Sequence, residues 1–333
     1  MSVEDIIALI EPLSLSDQLK VSLALAKSMK AKQKQKGEPL VSDIDTFFTT
    51  STKADNDATN KIREKVLSVL CDVPQEFILH PEFGQRWCTV RDGFTEALRV
   101  LAEQKGISYS STQIKIKGGR GANYDAVVTY ISTDKIERKI EFKYGCKNIG
   151  GLPQFLSLQA KFGLFPVTYD TFFWEKYLDR YLACDSGITE AKPARDDYLK
   201  KVTGTVAKTP FFAQLKEREA IAQKEKNAVV NASITDYLNN YGKSLDLKKF
   251  CEKVKATQTD KTYLLWCEGN FYLDEIAEVE MTKMSFRGIK NGNVLEVVSG
   301  NTVYGMLLRW RNHKGILNPA WQISMARVLR SLR

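Results

Sequence analysis

The segment that most restricts the fold runs from Ser111 to Gly150, where apolar residues recur at every second position with polar ones between them. Its centre reads Tyr124-Asp125-Ala126-Val127-Val128-Thr129-Tyr130-Ile131, then Ser132-Thr133-Asp134-Lys135, then Ile136-Glu137-Arg138-Lys139-Ile140-Glu141-Phe142-Lys143. Two strand-like runs joined by turn-forming residues predict an antiparallel hairpin. With the turn centred on Thr133, Ala126 faces Ile140, Tyr130 faces Ile136 and Asp125 faces Glu141. Side chains alternate across a strand, so Ala126, Val128, Tyr130, Ile136, Ile140 and Phe142 make one apolar face, interrupted by Arg138. Asp125, Glu141 and Lys143 share the other.

Opposed carboxylates repel each other unless a cation or a proton lies between them. Oxygen ligands from separate strands suit a hard divalent ion such as magnesium, for which manganese can substitute. The carbonyl of Phe142 can add a ligand, and Lys143 can orient or deprotonate a water or offset charge on a phosphate. This chemistry suits phosphodiester hydrolysis; a hairpin with solvated cross-strand charges is the alternative. Glu-x-Lys alone says little, because Glu103-x-Lys105, Glu137-x-Lys139 and Glu190-x-Lys192 share it. Glu137 could oppose Asp125 only through a turn at Ile131, inside the apolar run.

Elsewhere, Val90, Phe94, Ala97, Leu98 and Leu101 fall on one face of an amphipathic helix that Gly106 stops. Helical spacing also marks residues 3 to 29 and 62 to 70, with a lysine-rich linker over 30 to 36. Gly150-Gly151-Leu152-Pro153 predicts a short helix, residues 170 to 255 a helical insertion, and the runs between 262 and 310 further strands. Asn318-Pro319 reads as the cap of a final basic helix. The expected organisation is a helical region with a basic linker over 1–70 and an α/β domain over 71–333. That domain would be a mixed sheet flanked by helices, with the insertion at about 170–255 and a basic segment over 309–333.

The net charge is +9, and residues 309 to 333 hold six basic residues and no acidic one, which favours a polyanionic partner. Arg309-Trp310-Arg311-Asn312-His313-Lys314 interleaves bases with an aromatic residue, suiting either phosphate contact or an edge strand with buried tryptophans. No apolar run is long enough for a membrane span, and the start lacks a signal peptide's basic flank. Six scattered cysteines and two histidines disfavour a disulfide scaffold, a zinc knuckle or a His-dependent triad, so an intracellular, reducing compartment is expected.

Asp125 followed by Glu141-x-Lys143 on the next strand, after an amphipathic helix, resembles the PD-(D/E)XK, restriction-endonuclease-like nuclease superfamily over roughly residues 90 to 162. The name-giving proline position holds Tyr124. The resemblance implies a restriction-endonuclease-like fold, Asp125 and Glu141 as metal ligands, Lys143 as the catalytic lysine, and magnesium-dependent DNA cleavage. A type II restriction enzyme is the leading form, with duplex DNA as substrate and a homodimer as a natural assembly. Several members place a Glu on the preceding helix, for which Glu96 is the candidate here; a solvated surface Glu is its other reading. Gln154, Gln159 and Lys161, expected on the next helix, could reach the attacking water or the DNA backbone. Lys115, Lys117, Arg120, Arg309, Arg311 and Lys314 are the further candidates for DNA contact. The alternatives are a structure-specific repair or junction nuclease, an RNA endonuclease, and a non-catalytic nucleic-acid-binding protein that keeps the fold.

Overall fold

The computed structural model describes residues 14, 37–50, 52, 55–117, 123–202, 209–281, 283–312 and 317–327. The helix expected over 3–29, the lysine-rich linker, Arg120 and Lys314 lie outside them, as does the side chain of Arg311. In chain order the elements begin with α1 (Asn56–Leu67), α2 (Gln75–Ile78), α3 (Gly84–Gln104), β1 (Ser111–Ile116), β2 (Ala126–Ile131), β3 (Lys135–Tyr144) and β4 (Leu156–Gln159). Six helices follow: α4 (Tyr169–Lys176), α5 (Leu178–Leu182), α6 (Arg195–Val202), α7 (Pro210–Glu217), α8 (Gln223–Tyr241) and α9 (Leu247–Gln258). The chain continues with β5 (Lys261–Cys267), β6 (Asn270–Asp274), β7 (Ser285–Lys290), β8 (Val294–Ser299), β9 (Thr302–Asn312) and β10 (Leu317–Arg327).

The protein is mixed α/β and divides into two units, one of Met1–Lys147 with Lys261–Leu273, the other of Asn148–Asp260 with Asp274–Arg333. In the first, a five-stranded sheet runs in the order β1-β2-β3-β5-β6. The hairpin forms in the expected register, Ala126 opposite Ile140 and Tyr130 opposite Ile136. Its apolar face packs on α3: Val128, Tyr130, Ile140 and Phe142 share a core with Trp87, Val90, Phe94, Leu98 and Leu101. The Tyr130 hydroxyl donates to the Leu98 carbonyl at 2.9 Å, so its polar end is satisfied inside that core. Ile44, Phe47, Val66, Leu67 and Leu70 belong to the same core, and the border between the two units falls after Lys147.

One helix is fixed onto this core by a buried charge. Arg63 of α1, wholly inaccessible, donates to the Thr46 and Thr49 carbonyls (2.7 and 3.0 Å) and to Asn60 Oδ1 (2.9 Å). Its guanidinium also stacks 3.4 Å from the centroid of Tyr144, at the end of β3.

The single sheet expected from the hairpin plus the strands between 262 and 310 is two sheets. β5 joins β3 in parallel, and Lys261 through Trp266 are all buried, the mark of a strand covered on both faces. β7, β8, β9 and β10 are consecutive in the chain and pair with their sequence neighbours, forming a second five-stranded sheet in the order β4-β10-β9-β8-β7. The final basic helix is likewise corrected to a strand. In β10, Trp321, Ile323 and Met325 are buried and alternate with half-buried Gln322 and Ser324, a period of two that outweighs the helix-cap signal. The short helix expected after Gly150 is a 3-10 turn, Ile149–Gly151, running into β4, because Pro153 and the apolar Leu156 and Leu158 favour extended chain.

The helical insertion forms as expected over α4 to α9, packed largely through aromatic rings. Trp310 sits 5.1 and 5.6 Å from the rings of Phe173 and Tyr169, and its Nε1 donates to the Tyr169 hydroxyl, so this tryptophan is committed to packing. Between helices, the Asp185 carboxylate receives Lys226 Nζ at 3.0 Å and two Arg218 nitrogens at 2.7 and 3.1 Å, with Asp185 and Lys226 both buried. Among the described residues no helix is long and apolar enough to cross a membrane.

Candidate active site

The site lies where β2 runs out and β3 continues. The Asp125 backbone N–H donates to the Ile140 carbonyl at 2.9 Å, and its carbonyl accepts the Lys117 N–H at 2.8 Å. One step further, the side chain replaces the main chain: the Phe142 N–H donates to Asp125 Oδ2 at 2.9 Å. Asp125 thus ends the ladder with its own carboxylate and is held beside Glu141 by a backbone bond. N–H and C=O of one strand residue point to the same side, so the Phe142 carbonyl leaves β3 towards Asp125.

Lys143, two residues beyond Glu141 on the same face, places Nζ 2.5 Å from Glu141 Oε1 and 3.8 Å from Asp125 Oδ2. The other Glu141 oxygen, Oε2, accepts Lys261 Nζ at 2.9 Å, and that ammonium also reaches the Asn123 carbonyl. Lys261 enters because β3 and β5 pair in parallel, with Lys139 opposite Lys261 and Glu141 opposite Tyr263. Access is graded: Lys143 and Asp125 are 29% and 23% exposed, Glu141 13%, and Lys261 2%. Lys143 and Asp125 face the solvent side, where a ligand would arrive.

Burial pushes the Asp125 carboxyl above its ordinary value and Glu141 adds to the rise, while Lys143 and the Phe142 N–H oppose it. Burial pulls against the charged form of Lys143, yet Glu141 and Asp125 outweigh it and hold its ammonium above the ordinary lysine value. Lys261 is lowered by its burial, which Glu141 only partly offsets. Glu64 on α1 belongs to the same electrostatic group. Burial raises its carboxyl, and the Asp125 charge raises it further.

A raised carboxyl binds its proton more tightly folded than unfolded, so its contribution to stability is complete below the unfolded value and is lost as pH rises through the folded one. Metal-free protein is therefore expected to lose stability through Asp125 from about pH 4 upward. Asp125→Asn should flatten that decline, since the amide oxygen can still accept the Phe142 N–H. Melting temperatures in chelator across pH 4 to 8 check this; parallel profiles for the two proteins would contradict it.

The sequence-derived triad of Asp125, Glu141 and Lys143 is brought together, with Phe142 beside it. Glu96 is not part of it: this exposed side chain on α3 receives Arg99 at 2.6 and 2.8 Å, and Arg99 also meets Glu103. Lys115 and Lys117 are exposed at the β1 edge, and the pairing of Lys115 with Val127 puts Lys115 on the face of Asp125 and Glu141. Gln154, Gln159 and Lys161 belong to the second unit, Gln159 at the end of β4, Gln154 just before it and Lys161 in the 3-10 turn Ala160–Phe162 rather than on an α-helix, and Gln154 Oε1 is buried with no partner among the described residues. Arg309 is exposed on β9.

Two members went unread. Glu64 sits beside the buried Arg63, in a helix whose apolar spacing gave no reason to prefer it to Glu96. Lys261 had one visible signal, a charge opening the apolar run Thr262–Trp266.

No family model, curated protein or solved structure matches this chain. The functional reading therefore rests on the residues themselves. Among the described residues no three His, Cys, Asp or Glu side chains group closely enough to hold a metal on their own. The available donors are two carboxylates and the Phe142 carbonyl, all hard oxygens at a partly open edge. Such a set fits magnesium, which keeps several waters and takes one or two carboxylates.

Proposed function

We propose that this protein is a magnesium-dependent endonuclease with a restriction-endonuclease-like core that hydrolyses DNA phosphodiester bonds. The supporting observation is the convergence of Asp125, Glu141 and Lys143 at one sheet edge, with Lys143 Nζ within 3.8 Å of both carboxylates. Asp125 and Glu141, with the Phe142 carbonyl, would hold the ion, which when bound supplies a Lewis acid for the scissile phosphate. Asp125 is oriented for this by the Phe142 N–H, and Glu141 by Lys261.

Lys143 enters as an ammonium that neutralises the carboxylate pair. With the carboxylate pair neutralised by a bound cation instead, Lys143 would be available to turn towards the phosphate, or to lose its proton to the medium and accept one from water. Glu64, on the same electrostatic footing, can hold a further proton near the site. Cleavage of a defined duplex sequence is the favoured form: the second unit is large beside the core, and such additions serve target recognition in comparable folds. Cutting both strands calls for two such edges, hence a homodimer.

The test is plasmid cleavage by the wild type and by Asp125→Ala, Glu141→Ala and Lys143→Ala, with magnesium and with chelator. Discrete, magnesium-dependent fragments lost in all three variants are expected. Parallel assays on branched and single-stranded DNA and on RNA separate a junction nuclease or an RNA endonuclease. A wild type that binds DNA yet cleaves none of these substrates would make the protein a binding module.

A further inference from the structure

We infer that the second unit carries a dedicated contact surface for the phosphate backbone of duplex DNA, centred on α9 and Phe162. The inference rests on the nucleic-acid reading above but concerns residues away from the cleavage site. α9 carries Lys248, Lys249, Lys253 and Lys255 against one acidic residue, Glu252.

Lys249 and Lys253, one helical turn apart, each hold their ammonium 5.2 Å from the centroid of Phe162, and Lys249 Nζ also donates to the Gly163 carbonyl at 2.9 Å. Two positive charges are thereby gathered over one ring, no further apart than twice that distance. Ring attraction favours each of them, but they repel one another unless an anion sits nearby. Lys248 and Lys255 are on the adjoining helix face, where together with Glu252 and Lys283 they line a cleft of about 420 Å³. Among the described residues none of these five ammoniums is ion-paired with a carboxylate. Folded surfaces ordinarily intersperse the two signs; here four lysines against the single Glu252 leave a net positive row along one helix, which matches a ladder of phosphates.

The occupant fitted by this chemistry is the sugar–phosphate backbone, contacted without regard to sequence. Lysine offers point charges to phosphate oxygens, which fix register and orientation while base edges are read elsewhere.

The test uses the full chain in chelator, so that no cleavage intervenes, and measures binding to a labelled mixed-sequence duplex by fluorescence anisotropy at several salt concentrations. Combined Lys248→Gln, Lys249→Gln, Lys253→Gln and Lys255→Gln is expected to reduce the slope of log affinity against log salt by up to ~0.9 per lysine and to weaken binding ~100-fold. Neutralising four exposed lysines elsewhere in the unit, Lys200, Lys201, Lys216 and Lys224, should change the slope far less, and four Lys→Arg changes on α9 should preserve both slope and affinity. Melting temperature controls for folding. Equal slopes for the α9 and control variants would overturn the surface, as would a wild type that binds no duplex. A wild type that binds through α9 yet cleaves nothing would uphold the surface and dismiss the nuclease reading.

Discussion

Lys143→Met is expected to slow DNA cleavage by roughly 10²- to 10⁴-fold while leaving magnesium binding at least as tight as in the wild type. The two effects separate because Lys143 holds two positions in the cycle. Without metal its ammonium lies 2.5 Å from Glu141 Oε1, where it competes with any divalent ion for that oxygen. Removing it relieves the competition and leaves two carboxylates whose repulsion favours a cation. With a metal bound, the same lysine would be the group available to act on the water or the phosphate, and methionine can do neither. Methionine retains most of the stem, so the fold should persist. Single-turnover cleavage and calorimetric titration with magnesium measure the two sides; a variant that cleaves at the wild-type rate removes Lys143 from the reaction.

Asp185→Ala is expected to destabilise the second unit by ~3 kcal/mol, near the low end for a broken buried pair because Arg218, 29% exposed, can turn to solvent once the carboxylate is gone. The loss arises less from the missing attraction than from Lys226, 3% exposed, whose amine is left with the Arg218 carbonyl and the Tyr181 ring as its partners among the described residues. Arg218 and Lys226 hold the Asp185 carboxyl far below the usual aspartate range. Its contribution is therefore complete above about pH 4 and lost as pH falls through the depressed folded value. Adding Lys226→Met should recover much of the loss, since an apolar chain of similar volume needs no partner. Denaturant unfolding of the three proteins decides the matter, and an additive double variant would mean that the two side chains are not coupled.

Within the hairpin, register was legible because turn residues and alternation demanded the same pairing, and a slip of β3 by one residue would have turned Glu141 and Lys143 into the core in place of Ile140 and Phe142. The apolar face of α3 and the helical insertion were legible for a similar reason: long periodic segments repeat their signal. The strands β4 and β10 were misread where short apolar runs follow glycine or proline, which punctuate helices and strands alike. Lys261 reaches Glu141 only through a parallel pairing across more than a hundred residues, and no local pattern records such a neighbour. Glu64 could not be preferred to Glu96 because its selection depends on Arg63 binding the Thr46 and Thr49 carbonyls, a contact of tertiary origin.

The parallel pairing of β3 with β5 also sets an order of events during synthesis. β3 leaves the ribosome long before β5, and the whole helical insertion must emerge between them. During that interval the edge of β3 has no partner, and Glu141 lacks its buried lysine. A nascent chain shorter than about 270 residues thus carries the three motif residues without the strand that fixes their geometry. The site is therefore completed late, after most of the second unit's helices have been made, and a chain that stops short of β5 holds Glu141 without its buried counter-charge.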